Sequence, residues 1–337
     1  MNNDTLSWIP VETEIEELVE FRNVNREYEP DYSPLVQPQL LQGYHGMGFR
    51  EFLRQIPNLA TYADQKLYEL DDNGKLLGFS GNLRKVFMGI AKKVIGKHKI
   101  NYFYGDLLNR VRISVDFDAT IPFDAYTSFS TPDIDDGKRY DVLHLRRMVA
   151  LIIRTLFPTE DVRTYQTLFS ISFNLFFSPI FDLFSQYSPL QFFHPIFFNA
   201  QDRYQFIHVV KDFRNKNPVR FRDFLQLENY PIYNLQNWWT KIEDQDLYEI
   251  YKYHAITEQY TNANGLPLYI RHVHHHLEQQ ESGRSHAEFD DDMHQMYPGY
   301  CAKILDACIR GFHETWADFE RPLHERITES PFGFATE

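Results

Sequence analysis

The stretch that decides the fold reads Tyr140-Asp-Val-Leu-His-Leu-Arg-Arg-Met-Val-Ala-Leu-Ile-Ile-Arg-Thr-Leu-Phe157. It predicts a helix that Pro158 ends, because proline lacks the amide hydrogen that continues a helix. A second helix is expected from Thr159 to about Tyr187, kinked near Pro179. Phenylalanines cover most of its circumference, and a helix that is apolar nearly all round lies at the centre of its domain. These residues are Phe169, Phe173, Phe176, Phe177, Phe181 and Phe184.

Helical patterns fill the remainder of the chain after residue 130 and predict an all-α fold, a large helical bundle. The expected helices are Asp202–Phe213, Arg220–Leu227, Asp244–Tyr260, Leu268–His294 with a break at Ser282-Gly283, and Pro298 to about Phe319. Residues 1–130 are looser and richer in Pro and Gly, which predicts an N-terminal subdomain. Residues 131–325 would form the bundle that holds the functional site.

The N-terminal subdomain still contains recognisable elements. Val11–Asn23 has a helical pattern, and Asn82–Gly96 predicts a basic amphipathic helix that either is a solvated face or docks on an anionic surface. Leu70–Lys75 reads as a turn. Residues Val111–Phe117 alternate apolar with polar side chains, which predicts a short β-strand.

The amino-acid composition restricts the classes of partner and the cellular environment that we expect for this protein. The net charge of −13 argues against nucleic-acid binding, because neutralising phosphates needs clustered Lys and Arg. The two cysteines, Cys301 and Cys308, would lie about 10 Å apart on one helix, too far for a disulfide. No stretch is long and apolar enough to span a bilayer, and the polar first residues resemble no targeting peptide. A soluble cytoplasmic protein is therefore expected, with no prediction of its oligomeric state.

Histidine is crowded near the C-terminus, where nine of the 14 His fall between His254 and His324. Within Tyr269–Glu281, His272 and His276 are four residues apart and share a helix face with His275. Two imidazoles one turn apart can bind one metal ion. The alternative is a polar, exposed helix face. Spacing does not determine which His of 272–276 points inward.

A second group of candidate ligands lies just downstream. His286, Asp290 and His294 form one stripe at four-residue spacing, an arrangement by which helical bundles hold iron. The alternative is a solvated acidic turn. Upstream, His254 and Glu258 form a further pair at the same spacing. They could supply ligands from a third helix.

Two other places could contact a cofactor or substrate. Arg284, in Ser282-Gly-Arg-Ser285, could hold a substrate carboxylate, with Ser285 as a hydrogen-bond donor. His194 lies between phenylalanines in Phe192-Phe-His-Pro-Ile-Phe-Phe198 and could cover an iron face or orient a substrate. The structural alternative for Arg284 and Ser285 is an ordinary interhelical loop. The structural alternative for His194 is a buried core histidine. We expect the same structural role for His144.

Arg271-His272 followed by Ser282-Gly-Arg-Ser285 resembles the helical haem-dependent tryptophan and indoleamine dioxygenases. The segments His286–Phe289 and Met293–Pro298 are also similar to the indoleamine-cleaving branch. The resemblance covers about 30 residues, and the Gly-Thr-Gly-Gly signature of the family is absent. It implies that one His of the 272–276 run is the axial haem ligand, with His272 the best match. It also implies that Arg284 and Ser285 recognise substrate.

The expected function is that of an oxidoreductase, an iron-dependent oxygenase acting on a small aromatic or amino-acid-like substrate with dioxygen. Haem is slightly favoured over a dinuclear non-haem site, for which His254, Glu258, His272, His276, His286, Asp290 and His294 are the candidate ligands. The alternative is a helical binding or interaction protein without metal. A metal-free hydrolase ranks third, because no Ser or Cys nucleophile motif accompanies the histidines.

Overall fold

The computed structural model describes residues 46–61, 67–71, 73–105, 107–122, 134–158, 167–177, 192–216, 218, 221, 235–258, 260, 263–279 and 285–311. In chain order the elements are β1 (Met47–Gly48), α1 (Phe49–Thr61), β2 (Tyr68–Leu70), β3 (Leu76–Phe79), α2 (Gly81–His98), α3 (Leu107–Arg110), β4 (Arg112–Ile113), β5 (Ala119–Thr120), α4 (Ile134–Leu156), α5 (Ile171–Phe176), α6 (Ala200–Lys216), α7 (Gln245–Glu258), α8 (Leu266–Gln279), α9 (His286–Met296) and α10 (Tyr300–Gly311).

Helices dominate the described residues and the sheets are small, which confirms the all-α fold class. Contacts divide the chain into two compact units. The first takes residues 1–68, 80–169 and 177–192, and the second takes residues 69–79, 170–176 and 193–337. Each unit therefore draws on separate segments of the chain. No helix of the described residues is both long and apolar enough to cross a bilayer.

The first unit packs helices against a small antiparallel sheet. The strand order is β1-β4-β5, with Met47 opposite Ile113 and Ile113 opposite Ala119. Helix α1 packs on α4, and α2 packs on β5. The predicted strand at Val111–Phe117 is confirmed in the short form of β4. The predicted basic helix is confirmed as α2, whose expected apolar side is buried: Val86, Phe87, Ile90 and Val94.

A buried polar contact ties two helices of the first unit. Asp141 on α4 is fully buried, and its Oδ2 lies 2.9 Å from His98 Nε2 at the end of α2. The same oxygen accepts the Tyr104 amide at 2.9 Å. Burial raises the pKa of Asp141, and the hydrogen bond with His98 opposes that rise. One turn along α4, His144 is buried and its Nδ1 accepts the Leu108 amide at 3.4 Å, so its expected structural role is confirmed.

The second unit is built around α8, which contacts α6, α7 and α9. Its largest buried side chain is Trp238, whose carbonyl accepts the Tyr297 hydroxyl at 3.0 Å. The rings of Tyr260 and Tyr269 surround Trp238 at centroid distances of 6.0 and 5.0 Å. This aromatic core positions α7 and α8, the two helices that carry the candidate site.

Smaller elements complete the second unit. Strands β2 and β3 form a hairpin whose turn is held by Asp71 Oδ1, which accepts the amides of Asn73 and Lys75 at 2.9 and 2.8 Å. This confirms the predicted turn at Leu70–Lys75. Cys301 and Cys308 on α10 are buried and free, as their spacing predicts.

Several predicted elements fall wholly or partly outside the described residues. The predicted continuous helix from Thr159 to about Tyr187 is wrong in its described part, because Phe169 and Ser170 are not helical and α5 ends at Phe176, before Pro179. Phe173 and Phe176 on α5 are fully buried as predicted. The predicted helix Val11–Asn23 and nearly all of Arg220–Leu227 lie outside the described part of the chain.

Candidate functional site

A tight connection brings α7 and α8 together. The 3-10 turn Ala263–Gly265 leads directly into α8, with Pro267 in the first turn, where its missing amide hydrogen has no helical partner to lose. A Cβ at Gly265 would lie 2.7 Å from Tyr260 Cα, so only glycine fits this close approach of two backbones. The connection thereby sets which residues of α8 meet α7.

Replacing Gly265 by alanine is expected to lower the free energy of unfolding by about 1–3 kcal/mol, because the added methyl group meets backbone that cannot move aside. Gly96→Ala is the matched control, since nothing lies within 4 Å of a Cβ at this helical glycine. That change should be neutral or stabilise by up to about 1 kcal/mol. Urea denaturation of both variants measures the difference, and equal effects would contradict the role assigned to Gly265.

Three predicted ligands come together where α7 meets α8. His254 Nε2 on α7 lies 3.0 Å from His276 Nε2 on α8. The His254 ring also stacks on His272, one turn earlier on α8, with centroids 4.0 Å apart and planes inclined by 27°. The Tyr260 hydroxyl hydrogen-bonds His272 Nδ1. We call His254, His272, His276 and Tyr260 the histidine cluster.

Burial and neighbouring positive charge favour the neutral imidazole at His272 and His276. Burial, reinforced by the neighbouring His254 and Arg271, lowers the pKa of His272 to about 3. Burial also lowers the pKa of His276, with His275 adding to the effect. Neutral imidazoles keep a nitrogen lone pair, which is the form that binds a transition metal. Within the described residues, however, no group of three or more His, Cys, Asp and Glu side chains is arranged to hold a metal ion.

Aromatic rings border the histidine cluster. The Tyr260 ring lies 6.4 Å from His254 and 6.0 Å from Tyr251, on which it is stacked. Tyr251 in turn meets Trp238 edge to face at 5.6 Å. The Tyr269 hydroxyl donates to the Leu247 carbonyl at 3.1 Å, which fixes the ring beside α7. The cluster therefore lies beside a group of aromatic rings, of which the Tyr260 and Tyr269 hydroxyls have hydrogen-bond partners.

The other histidines of the run face elsewhere. His274 is fully buried between Tyr204, at a centroid distance of 4.5 Å, and Phe289, at 4.6 Å. It packs α8 against α6 and α9. His275 is partly buried, and its ring lies 6.3 Å from that of His276. The structure thus selects His272 and His276 as the residues of this run that meet α7.

The second predicted ligand group has a different environment. The fully buried Asp290 accepts Arg203 Nε at 2.7 Å and Arg203 Nη2 at 2.6 Å on Oδ2, and the Tyr300 hydroxyl at 2.9 Å on Oδ1. His294 Nδ1 lies 3.4 Å from Oδ2. Burial alone would raise the pKa of Asp290, but Arg203 and His294 hold it well below its usual range. Neither Asp290 nor His294 contacts the histidine cluster, and both carboxylate oxygens already have partners.

The remaining predicted residues have local roles or lie outside the described part. His194 is buried, its Nδ1 accepts the Ile196 amide at 3.4 Å, and burial lowers its pKa to about 3. Ser285 caps α9: its Oγ accepts the Glu288 amide at 3.2 Å, and the Glu288 carboxylate accepts the Ser285 amide at 2.7 Å. Outside the described part lie Arg284 and the side chains of Glu258 and His286.

Two important residues were not predicted from the sequence. Arg203 pairs with Asp290 from 87 positions away, and no spacing rule connects them. Tyr260 lies after α7, in a stretch read only as the end of a helix. A polar ring next to the break at 262–267 was the available signal for Tyr260. Arg203 had none.

No protein family, curated protein or solved structure matches the chain.

Proposed function

We propose that this protein is an iron-dependent oxygenase that binds its metal at His254 and His276. The observation that carries the proposal is the 3.0 Å separation of their Nε2 atoms. Two adjacent nitrogen ligands of an octahedral ion, each about 2.1 Å from the metal, are about 3.0 Å apart. The pair therefore already has the spacing of neighbouring ligands on one ion. In the metal-free protein the same spacing is a hydrogen bond.

The lowered pKa of His276 supports the same assignment. An imidazole with a lowered pKa binds a cation without first losing a proton, so affinity persists into mildly acidic solution. Iron in oxygenases needs open positions for dioxygen and substrate, and two protein ligands leave them. Glu258 lies one turn after His254 on α7 and is the candidate third ligand. Two His and one carboxylate form the facial set of non-haem iron oxygenases.

Each remaining member of the cluster has a separate role in this proposal. When bound, the iron would activate dioxygen. His272 and Tyr260 are joined by a hydrogen bond beside the pair, so they can hold or pass a proton between Nδ1 and the phenol oxygen. The rings of Tyr251, Tyr260 and Trp238 offer faces and edges for stacking against a small aromatic or amino-acid-like substrate.

The haem version of the proposal rests on His272. Its Nδ1 hydrogen-bonds the Tyr260 hydroxyl, so Nε2 would be the nitrogen that holds the haem iron, and such a partner on the other nitrogen is usual for metal-bound His. The dinuclear version has less support, because Arg203 and Tyr300 occupy the carboxylate oxygens of Asp290. The metal-free binding protein remains the alternative from another class.

Metal binding is tested by titrating the purified full chain with Fe(II) under anaerobic conditions and measuring iron per chain. His254→Gln and His276→Gln should each weaken binding by at least about 100-fold, since outer partners of a ligand alone contribute 10–100-fold. His275→Gln, next along the same helix, is the matched control and should bind as the wild type does. Equal affinity in all four proteins would contradict the assignment.

Absorption spectra and oxygen uptake distinguish the haem, non-haem and metal-free versions of the proposal. A strong absorption band near ~400 nm after expression with haem supplied identifies haem, whereas iron without that band supports the non-haem pair. Oxygen consumption is then measured with Fe(II)-loaded protein and L-tryptophan, L-tyrosine or catechol as probes. Iron bound without oxygen uptake on any probe argues against the oxygenase. Neither iron nor haem bound supports the binding protein.

A further inference from the structure

A second place for chemistry lies in the second unit, away from the histidine cluster. A cleft of about 850 Å³ opens among the β2–β3 turn, the 3-10 turn Trp238–Lys241, the start of α7, the end of α9 and the start of α10. Leu247, which lines it, precedes His254 by seven residues on α7, or about 10 Å along the helix. The volume is within the range of sites that enclose small molecules. Lysines and carboxylates face each other across this cleft.

Lys303, on the first turn of α10, is the unusual member of the lining. Its side chain is buried, with 6 % of the residue exposed, although it borders the cleft. Buried lysines almost always lie beside an anion. Among the described residues, no carboxylate lies within ion-pair distance of Lys303, and the charge that shifts its pKa is another cation, Lys241. The positive end of the α10 dipole adds to this unfavourable field.

These surroundings favour the uncharged amine. Burial, followed by the positive charge of Lys241, lowers the pKa of Lys303 to about 8. A neutral amine has the lone pair that attacks carbonyl carbon, and desolvation beside a second cation is an established way to activate a lysine nucleophile. The carboxylates of Asp71 and Asp244 have structural partners, since Asp71 holds the hairpin turn and Asp244 Oδ1 accepts the Leu247 amide at 3.0 Å.

We propose that Lys303 is a nucleophilic lysine that forms an imine with a small 2-oxo acid bound in the cleft. The ammonium groups of Lys241 and Lys75 would bind the carboxylate of that ligand. No cofactor takes part, so the proposal is independent of metal at the histidine cluster and goes beyond the proposed oxygenase function.

The step balances without an oxidant or reductant. The Nζ lone pair forms a bond to the carbonyl carbon while the carbonyl π electrons move to oxygen, and a proton passes from nitrogen to that oxygen. Loss of the hydroxyl as water, with a second proton, forms the C=N bond. Glu243 and Asp292 line the cleft and can relay these protons.

The full-length protein is incubated with pyruvate and cyanoborohydride, which reduces an imine to a stable amine, and each lysine adduct is quantified by peptide mapping. Lys303 should be modified at least about tenfold faster than Lys252 at pH 7.5, because a lower pKa leaves far more free amine. Lys252 is the internal reference, with its side chain 67 % exposed and its Nζ 3.8 Å from Glu249. Modification of both lysines at equal rates would overturn the proposal.

Two arginine variants test whether the adduct requires the nucleophilic amine of Lys303 or only a positive charge at that position. Lys303→Arg keeps the positive charge and should abolish the adduct at this position, whereas Lys252→Arg should leave the Lys303 adduct unchanged. Circular dichroism confirms that each variant is folded. If Lys303→Arg unfolds, the pH dependence of Lys303 labelling in the wild type decides: a midpoint near 8 supports the proposal, and a midpoint near the ordinary lysine value of 10.5 overturns it.

The pH profile also tests the role of Lys241. Removing that cation in Lys241→Met should raise the midpoint, because less positive charge then opposes protonation of Lys303. The other charged groups that line the cleft with Lys303 are Asp71, Lys75, Lys241, Glu243, Asp244 and Asp292. An unchanged midpoint in Lys241→Met would show that burial, and not this cation, sets the reactivity, and would overturn the assignment of Lys241 as the activating charge.

Discussion

Replacing Arg203 by leucine is expected to lower the free energy of unfolding by about 3–5 kcal/mol, because Asp290 would be left buried without its cation. Arg203 is 5 % exposed, and its Nε and Nη2 both contact Asp290 Oδ2. Its Nη1 also donates to the Phe198 carbonyl at 2.7 Å, so α6 would lose two partners at once. Urea denaturation followed by tryptophan fluorescence measures the loss.

A double variant distinguishes the contribution of the ion pair to the free energy of unfolding from that of side-chain packing. In Arg203→Leu with Asp290→Leu the buried carboxylate is removed together with its cation, so much of the stability should return, less the contribution of the partly exposed Glu69, which lies 3.6 Å from Arg203 Nη1. The surface control is Lys252→Ala, whose partly exposed ion pair with Glu249 contributes below about 1 kcal/mol. If Arg203→Leu costs no more than the surface control, the ion pair of Arg203 and Asp290 does not hold α6 to α9.

The metal-free protein is expected to lose stability steeply as pH falls below 6.5. Burial lowers the pKa of His144, His194 and His272 to about 3 in each case. Below pH 6.5 the unfolded chain binds these protons while the folded chain does not, so each His lowers stability by about 1.4 kcal/mol per pH unit. The loss is absent above pH 6.5 and is complete near pH 3. Proton uptake by His194 and His272 in the unfolded chain should together lower the free energy of unfolding of the second unit by about 4 kcal/mol between pH 6.5 and pH 5.

Hydrogen bonding gives this acid sensitivity a structural basis. Nδ1 of His144 and Nδ1 of His194 each accept a backbone amide, so protonation of that nitrogen breaks the bond. Urea midpoints at pH 7.5, 6.5 and 5.5, in the presence of EDTA, measure the slope. His272→Gln should flatten it by about 1.4 kcal/mol per pH unit. A stability that stays level or rises on acidification would contradict the neutral state assigned to these histidines.

Helix periodicity made the fold class predictable. Apolar spacing placed α2 with its buried side, and proline placed the end of α4 to within two residues. Helical patterns also gave the approximate positions of α6 and α7, and the break at Ser282-Gly283 separated α8 from α9. These signals are local, since each depends on side chains within one or two turns of a helix. The interleaving of the two units along the chain has no such local signal.

The candidate site was predictable in part. Four-residue spacing identified His272 with His276, and the structure adds His254 from α7 to the same place. The same spacing rule also selected Asp290 and His294, which the fold uses to anchor Arg203. The sequence pattern of His and Asp at four-residue spacing is the same whether the residue that packs against it is a metal ligand or an arginine. Spacing describes one helix and carries no information about the neighbouring helix.

The sequence by itself determined an all-α chain rich in aromatic side chains, with nine of its 14 histidines between His254 and His324. Tertiary structure alone decided which imidazoles meet, because His254 and His276 are 22 residues apart and the packing of α7 on α8 places their Nε2 atoms 3.0 Å apart. It also decided which charges are neutralised, since Arg203 pairs with Asp290 across 87 positions, and which lysine has no carboxylate within ion-pair distance in the described part of the chain. Such contacts depend on burial and on partners distant in the sequence, and neither is encoded by local spacing.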